Sequence, residues 1–152
     1  MGVQELTPSQ KGAVAEAAIT ARAIQLGLTV LRPLCEGRRY DIVIDTEPEL
    51  LRVQCKLAKR LDGVLSVNLK TNRYTPGGYV STSYTSTEVD AVGAYAHDLN
   101  RCFLIPISEV SGRRCVHLRV DPPRNNQLQG IRWADDYEFD AMIRGRRLRS
   151  DD

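Results

Sequence analysis

A single α/β domain, in which a mixed β-sheet is flanked by a long first helix, follows from three observations. The chain opens with a capped, alanine-rich helical stretch, continues as short apolar runs separated by turn residues, and has 152 residues, the size of one core. With 42% hydrophobic and 26% charged residues the composition is that of a globular protein, which excludes collagenous, disordered and disulfide-dense classes. No apolar run approaches the roughly 20 residues that span a bilayer. Met1-Gly2-Val3-Gln4-Glu5 lacks the basic and apolar regions of a signal peptide, so the expected location is intracellular, in the cytoplasm, with no membrane partner. Cys35, Cys55, Cys102 and Cys115 are scattered without a C-x-x-C pair, and His97 and His117 stand apart. The expectation is four reduced, mostly buried thiols rather than a zinc site or redox dithiol.

Thr7-Pro8-Ser9-Gln10 offers a hydroxyl cap, a proline for the first helical position and a glutamine able to complete a capping box. The spacing predicts a helix from Pro8 to Leu26, ended by Gly27. At about 100° per residue, Lys11, Arg22 and Gln25 share one side, whereas Glu16 and Thr20 fall among the alanines. Glu16 is thus an acid on the wrong face for solvation.

Strands are predicted at Leu28–Leu31, Tyr40–Asp45 and Leu50–Lys56, the last two forming a hairpin about Thr46-Glu47-Pro48-Glu49. After the turn Leu61-Asp62-Gly63, the alternating run Val64–Leu69 reads as a further strand of the same sheet. Tyr74–Thr87, rich in Thr, Ser, Gly and Tyr, reads as a long mobile loop. Val89–Ala96 and Arg101–Pro106 form a second hairpin around His97-Asp98-Leu99-Asn100. A helical turn at Ile107–Val110, a strand at Val116–Val120, an extended loop from Pro122 and a short helix at Ala134–Met142 complete the chain. The domain is expected over residues 1–143, with 144–152 as a basic, frayed tail.

The net charge of +2 permits nucleic-acid binding without demanding it. Its distribution says more. Arg32, Arg38, Arg39, Arg52, Lys56, Lys59, Arg60, Lys70 and Arg73 crowd the centre, while Asp135, Asp136, Glu138 and Asp140 cluster later.

Three features converge on one chemistry. Period-two geometry places Gln54 and Lys56 on the same face of a strand, the hairpin brings Asp41 to the same end, and a helix across that end brings Glu16 within reach. Carboxylate oxygens suit Mg²⁺, which also takes phosphate oxygens. Asp41 is the expected principal ligand, the Cys55 carbonyl a backbone ligand, and Glu16 a direct or water-mediated one; Mn²⁺ is expected to substitute. Neighbouring carboxylates hold Lys56 in its charged form, so it is expected to act as an electrostatic clamp rather than a base.

Glu16, Asp41 and Gln54-x-Lys56 resemble the PD-(D/E)XK nuclease superfamily, with its helical glutamate, strand aspartate and (D/E)-x-K strand. The resemblance implies a restriction-endonuclease-like fold and metal-dependent phosphodiester hydrolysis. Tyr40 stands where the motif has proline, and Gln54 replaces an acid, which leaves the site one negative charge fewer. The glutamine, the Val53-Gln54-Cys55-Lys56 strand, the run from Val64 to Arg73 and the stretch from Asn126-Gln127 to Ile131-Arg132-Trp133-Ala134-Asp135-Asp136-Tyr137 are similar to the small homing endonucleases of group I introns. That likeness implies a homo-oligomer, a tetramer of two dimers, on a pseudo-palindromic double-stranded DNA site.

DNA contact is expected from Arg38, Arg39, Lys59, Arg60, Asn68, Lys70, Asn72, Arg73 and Tyr74, the cations along phosphates and the ribbon residues toward base edges. Tyr79 and Tyr84 either join them or pack the loop. The alternatives are a junction-resolving or repair nuclease of the same fold, and a noncatalytic DNA-binding subunit suggested by the missing strand acid.

Overall fold

The first helix forms where its signals place it. In the computed structural model, which describes residues 5–150 without the side chains of 71–74, 81 and 147–150, α1 spans Pro8–Gln25. The Gln10 amide donates to Thr7 Oγ1 at 3.2 Å and the Thr7 amide to Gln10 Oε1 at 2.9 Å, a complete capping box. Gly27, at φ +82°, takes the left-handed turn that releases the chain. Ala15, Ile19 and Ala23 form the fully buried stripe of α1.

The main sheet has five strands in the order β1 (Thr29–Leu31), β2 (Ile42–Asp45), β3 (Leu50–Leu57), β8 (Ala91–Ala96) and β9 (Arg101–Pro106). Between β3 and β8 the chain makes β4 (Lys59–Leu61), β5 (Val64–Asn68), β6 (Lys70–Thr75) and β7 (Gly78–Ser83). The β3–β8 pair is parallel and the other pairs of the main sheet are antiparallel, so the sheet is mixed as expected. Gly93 of β8 lies beneath α1, where an added Cβ would stand 3.0 Å from Val53 Cγ1 and 3.3 Å from Ile19 Cγ2. Its missing side chain lets the helix settle on the sheet.

The Val64–Asn68 strand forms, but it does not extend the main sheet. It centres a second sheet of three strands, ordered β10 (Cys115–Arg119), β5, β4, with β4 turning into β5 at Asp62-Gly63. Alternation assigns the two faces of the main sheet. Leu51, Val53 and Cys55 of β3 with Ala91 and Tyr95 of β8 pack under α1; Val92, Ala94 and Ala96 pack with Leu65, Val67, Val116 and Leu118 of the second sheet. The molecule is therefore three layers: helix, mixed sheet, small sheet.

Where a mobile loop was expected over Tyr74–Thr87, β6 and β7 pair as a two-stranded ribbon from Lys70↔Ser83 to Thr75↔Gly78. Threonine-rich polar sequence suits a ribbon whose cohesion comes from backbone pairing, and Gly78 at φ +113° closes its tip. Tyr84, at its base, is 2% exposed in the core of the second sheet.

The end of the chain also differs. A 3₁₀ turn at Ala134–Tyr137 precedes α3, which runs over Phe139–Ser150 where a helix ending at Met142 and a frayed tail were expected. Phe139 and Ile143 are buried against the α1 layer, Asp140 pairs with Arg22, and Arg146 pairs with Glu49 in the β2–β3 turn. The short helix α2 (Ile107–Val110) links β9 to the segment before β10. Of the cysteines, Cys55 is buried and Cys102 half-buried, but Cys35 and Cys115 are exposed, against the expectation of mostly buried thiols. Among the described residues no helix is long and apolar enough to cross a membrane.

Candidate active site

One cleft gathers the five residues that the sequence singles out for chemistry, Glu16, Asp41, Gln54, Cys55 and Lys56. It has a volume of about 820 Å³, lies between the first half of α1 and the distal half of β3, and is lined by Glu16, Asp41, Gln54, Cys55, Lys56, Lys59 and Asn68 among others. Antiparallel register does the placing: Ile42 stands opposite Val53, so Asp41, just before β2, comes beside Gln54-Cys55.

Asp41 is fixed at both its backbone and its side chain. Its amide donates to the Val53 carbonyl at 2.9 Å, and its Oδ2 accepts the Cys55 amide at 2.8 Å. Burial raises the Asp41 pKa above the ordinary 3.8, and the charge of Glu16 adds to the rise; the Cys55 amide, Lys56 and Arg32 oppose it. Glu16, beside the buried Ala15, is half-buried and pairs with Arg32 Nη1 at 3.1 Å.

In an extended strand the N–H and C=O of one residue point to the same side. Because the Cys55 amide addresses Asp41, its carbonyl faces the same side as that carboxylate. The Cys55 thiol instead points into the core beneath α1, where burial and then the nearby Asp41 and Glu16 push its pKa far up. It is inert as a thiolate, and the backbone is the part of Cys55 that serves the cleft.

Lys56 extends from the face of β3 opposite Cys55. Its Nζ lies 3.4 Å from the Lys70 carbonyl and 5.4 Å from the centroid of the Tyr84 ring. Gln54 shares that face and lines the cleft. Among the described residues no group of three or more His, Cys, Asp or Glu side chains gathers as a metal site. Of the three carboxylate residues that line the cleft, Glu5, Glu16 and Asp41, the last two sense each other's charge, and a cation held by that pair would complete its oxygen set from backbone, water or substrate.

The expected DNA-contact residues divide. Lys59 and Asn68 line the cleft, and Asn68 Oδ1 accepts the Lys70 amide at 2.9 Å. Arg38 is exposed, just ahead of the site. Arg39 is a structural tie: it donates to the Ser83 carbonyl at 3.0 Å and to Thr82 Oγ1, and pairs with Glu88 at 2.7 Å. Arg60 leaves the cleft, donating to the Asp62 carbonyl at 3.0 Å and approaching Asp121 to 3.7 Å beside Arg119 and Arg124. Neither lines the cleft, and each is held by acceptors elsewhere in the fold. The side chains of Asn72, Arg73 and Tyr74 lie outside the described residues. Sequence reading did not assign Arg32 a role at the site or tie Tyr84 to Lys56. The available signal for Tyr84 was an aromatic residue closing a run of Ser and Thr, just ahead of the apolar Val89.

A helix carrying a glutamate, a strand edge carrying an aspartate and an adjacent strand carrying Q-x-K thus meet at one cleft of a mixed sheet. Residues 6–140 match the family model described as PD-(D/E)XK endonuclease, and the chain belongs to that family. It is an endonuclease. The fold is similar to that of a bacterial homing endonuclease, I-Ssp6803I, with a TM-score of 0.76 and 24% identity over 95% of this chain and 99% of that one. No curated protein matches the chain.

Proposed function

We propose that the protein is a Mg²⁺-dependent, site-specific endonuclease of double-stranded DNA, of the group I intron homing type, acting as a homo-oligomer. The observation that carries this reading is the meeting of Glu16, Asp41, the Cys55 backbone and Lys56 in one cleft. The overall likeness to a homing endonuclease supports the particular type. One chain offers one such cleft, so cutting both strands calls for at least two copies, on a two-fold axis for a palindromic target.

The donor set fits a hard divalent cation. Asp41 and Glu16 are close enough for the charge of one to raise the proton affinity of the other, a repulsion that a cation between them relieves. Asp41, Glu16 and the Cys55 carbonyl would hold Mg²⁺ or Mn²⁺, which supplies an acidified water and neutralises phosphate charge. Lys56 places an ammonium at the cleft wall, where it stabilises the extra negative charge of the phosphorane-like transition state and orients the attacking water. Gln54 offers a neutral carbonyl oxygen where an acid would add charge. Lys59 and Asn68 face the phosphates that flank the scissile one.

The test is cleavage of a randomised duplex pool with Mg²⁺ or Mn²⁺, alongside four-way junctions and the variants Asp41→Ala and Lys56→Ala. The expected outcome is metal-dependent cutting of a subset of linear duplexes, with Lys56→Ala slower by roughly 10²- to 10³-fold at unchanged DNA binding. Preference for junctions assigns a structure-selective nuclease instead. No nicking with either metal overturns the reading.

A further inference from the structure

Lys56 has a support that lies outside the nuclease motif. The Tyr84 ring is 2% exposed and stands 5.4 Å from Lys56 Nζ and 5.9 Å from the Arg39 guanidinium carbon. Both cations also grip the base of the β6–β7 ribbon. Lys56 reaches the carbonyl of Lys70, the first residue of β6, and Arg39 reaches the carbonyl of Ser83, the last residue of β7. Lys70 and Ser83 are paired with each other across the ribbon. The ribbon root, the buried ring and the two cations therefore form one cluster on the β3 face that carries the motif lysine.

An ammonium on a flexible four-carbon stem has many rotamers, and holding it against developing charge requires something that fixes the head without neutralising it. A carboxylate would fix Lys56 but cancel the charge that the reaction uses. An aromatic face holds a cation through its quadrupole and leaves the charge intact, and the attraction strengthens when the ring is desolvated.

We infer that Tyr84 is a positioning residue for the cleavage reaction: its buried ring holds the Lys56 ammonium at the cleft wall, and the paired ribbon root at Lys70 and Ser83 sets where that ring stands. This rests on the reading of Lys56 as the cation of the active site. The ring is the active part and the hydroxyl is dispensable. The ribbon root thereby connects a surface that can meet substrate to the geometry of the catalytic lysine.

The experiment compares Tyr84→Phe, Tyr84→Leu and the core control Val67→Ala, which belongs to the same buried cluster. Single-turnover cleavage, DNA affinity in Ca²⁺ and thermal melting are measured on each. Tyr84→Phe is expected to cleave within about twofold of the wild type, and Tyr84→Leu to lose roughly three- to thirtyfold in rate with DNA affinity within about twofold. Val67→Ala is expected to lower melting without that rate loss. Equal loss in Tyr84→Phe and Tyr84→Leu, or the same loss in Val67→Ala at matched melting, overturns the inference.

If Tyr84→Leu does not melt cooperatively, a series of fluorinated phenylalanines at position 84 keeps the shape while draining the ring face. A stepwise fall in rate supports the inference and a flat series refutes it. Acylation of Lys56 by an amine-reactive ester, followed by peptide mass spectrometry, needs no cleavage. It should speed up severalfold in Tyr84→Leu and stay unchanged in Tyr84→Phe; equal labelling refutes the role of the ring. A wild type that cuts nothing refutes the proposed function, while labelling still decides the case of Tyr84.

Discussion

Two aspartates flank β3 and use the same device toward opposite ends. Asp41 immediately precedes β2 and accepts the amide of Cys55; Asp90 immediately precedes β8 and accepts the amide of Arg52 at 2.8 Å. Their proton affinities move in opposite directions. Asp90 also faces the Arg52 guanidinium, with Nε at 3.0 Å from Oδ2 and Nη2 at 3.0 Å from Oδ1, and that pairing lowers its pKa. Asp41 has burial and a second carboxylate for company, and its pKa rises. A carboxylate whose charge is satisfied within the protein holds the fold together, whereas one left charged and under-compensated is ready for an external cation.

Neutralising each aspartate in turn separates the two roles most strongly. Asp41→Asn is expected to cost on the order of 10³-fold or more in cleavage, because a principal cation ligand is lost, and to raise the melting temperature near neutral pH. Asp90→Asn should cleave within about twofold of the wild type, but lose about 1 kcal/mol of stability after allowance for the partial exposure of the Arg52 pair. Cleavage at single turnover and chemical denaturation check both. Lower stability in Asp41→Asn would remove the contrast.

The pH dependence of stability carries the same opposition. The folded state holds the Asp41 proton more tightly than the unfolded chain does, so ionisation of Asp41 costs stability as pH rises through its elevated pKa. The Asp90 contribution is present above the ordinary carboxylate value and is lost as pH falls through its depressed folded pKa. The melting advantage of Asp41→Asn and the deficit of Asp90→Asn should therefore both fade in acid, with Asp41→Asn converging on the wild type below the ordinary value and Asp90→Asn lower still. Metal and proton compete for Asp41, so the acid limb of cleavage should move to higher pH when the divalent metal is scarce.

Charge count at the cleft gives the smallest expected effects. Glu16→Gln should raise the metal concentration for half-maximal cleavage by roughly tenfold, in the range found when a metal site loses a supporting carboxylate. Gln54→Glu should lower it severalfold by restoring the missing negative charge. Titration of cleavage with Mg²⁺ measures both.

The gathering of the candidate residues in one cleft was legible in the sequence to the extent that its geometry is local. The Thr46–Glu49 turn fixes the β2–β3 register, the capping box fixes the phase of α1, and alternation fixes which β3 side chains face the helix. Glu16, Asp41 and Lys56 follow from those three constraints. The ribbon was missed because Thr, Ser and Gly give no apolar period, and its cohesion lies in backbone pairing that polar side chains do not announce. The second sheet was missed because an alternating strand shows that one face is buried, not which layer buries it. The tail reads as a basic run in the sequence because Arg146 shows its purpose only beside Glu49, 97 residues away.

Caps, turns and strand alternation act over a few residues, so the chain alone specifies α1, the β2–β3 hairpin and the chemical kinds at the cleft. Tertiary packing decided the partners. Burial beneath α1 and the proximity of Glu16 raise the proton affinity of Asp41, and the burial of Tyr84 between two layers brings its ring to Lys56. Electrostatic strength depends on distance and on how much water has been removed, and both are set only when remote segments pack together.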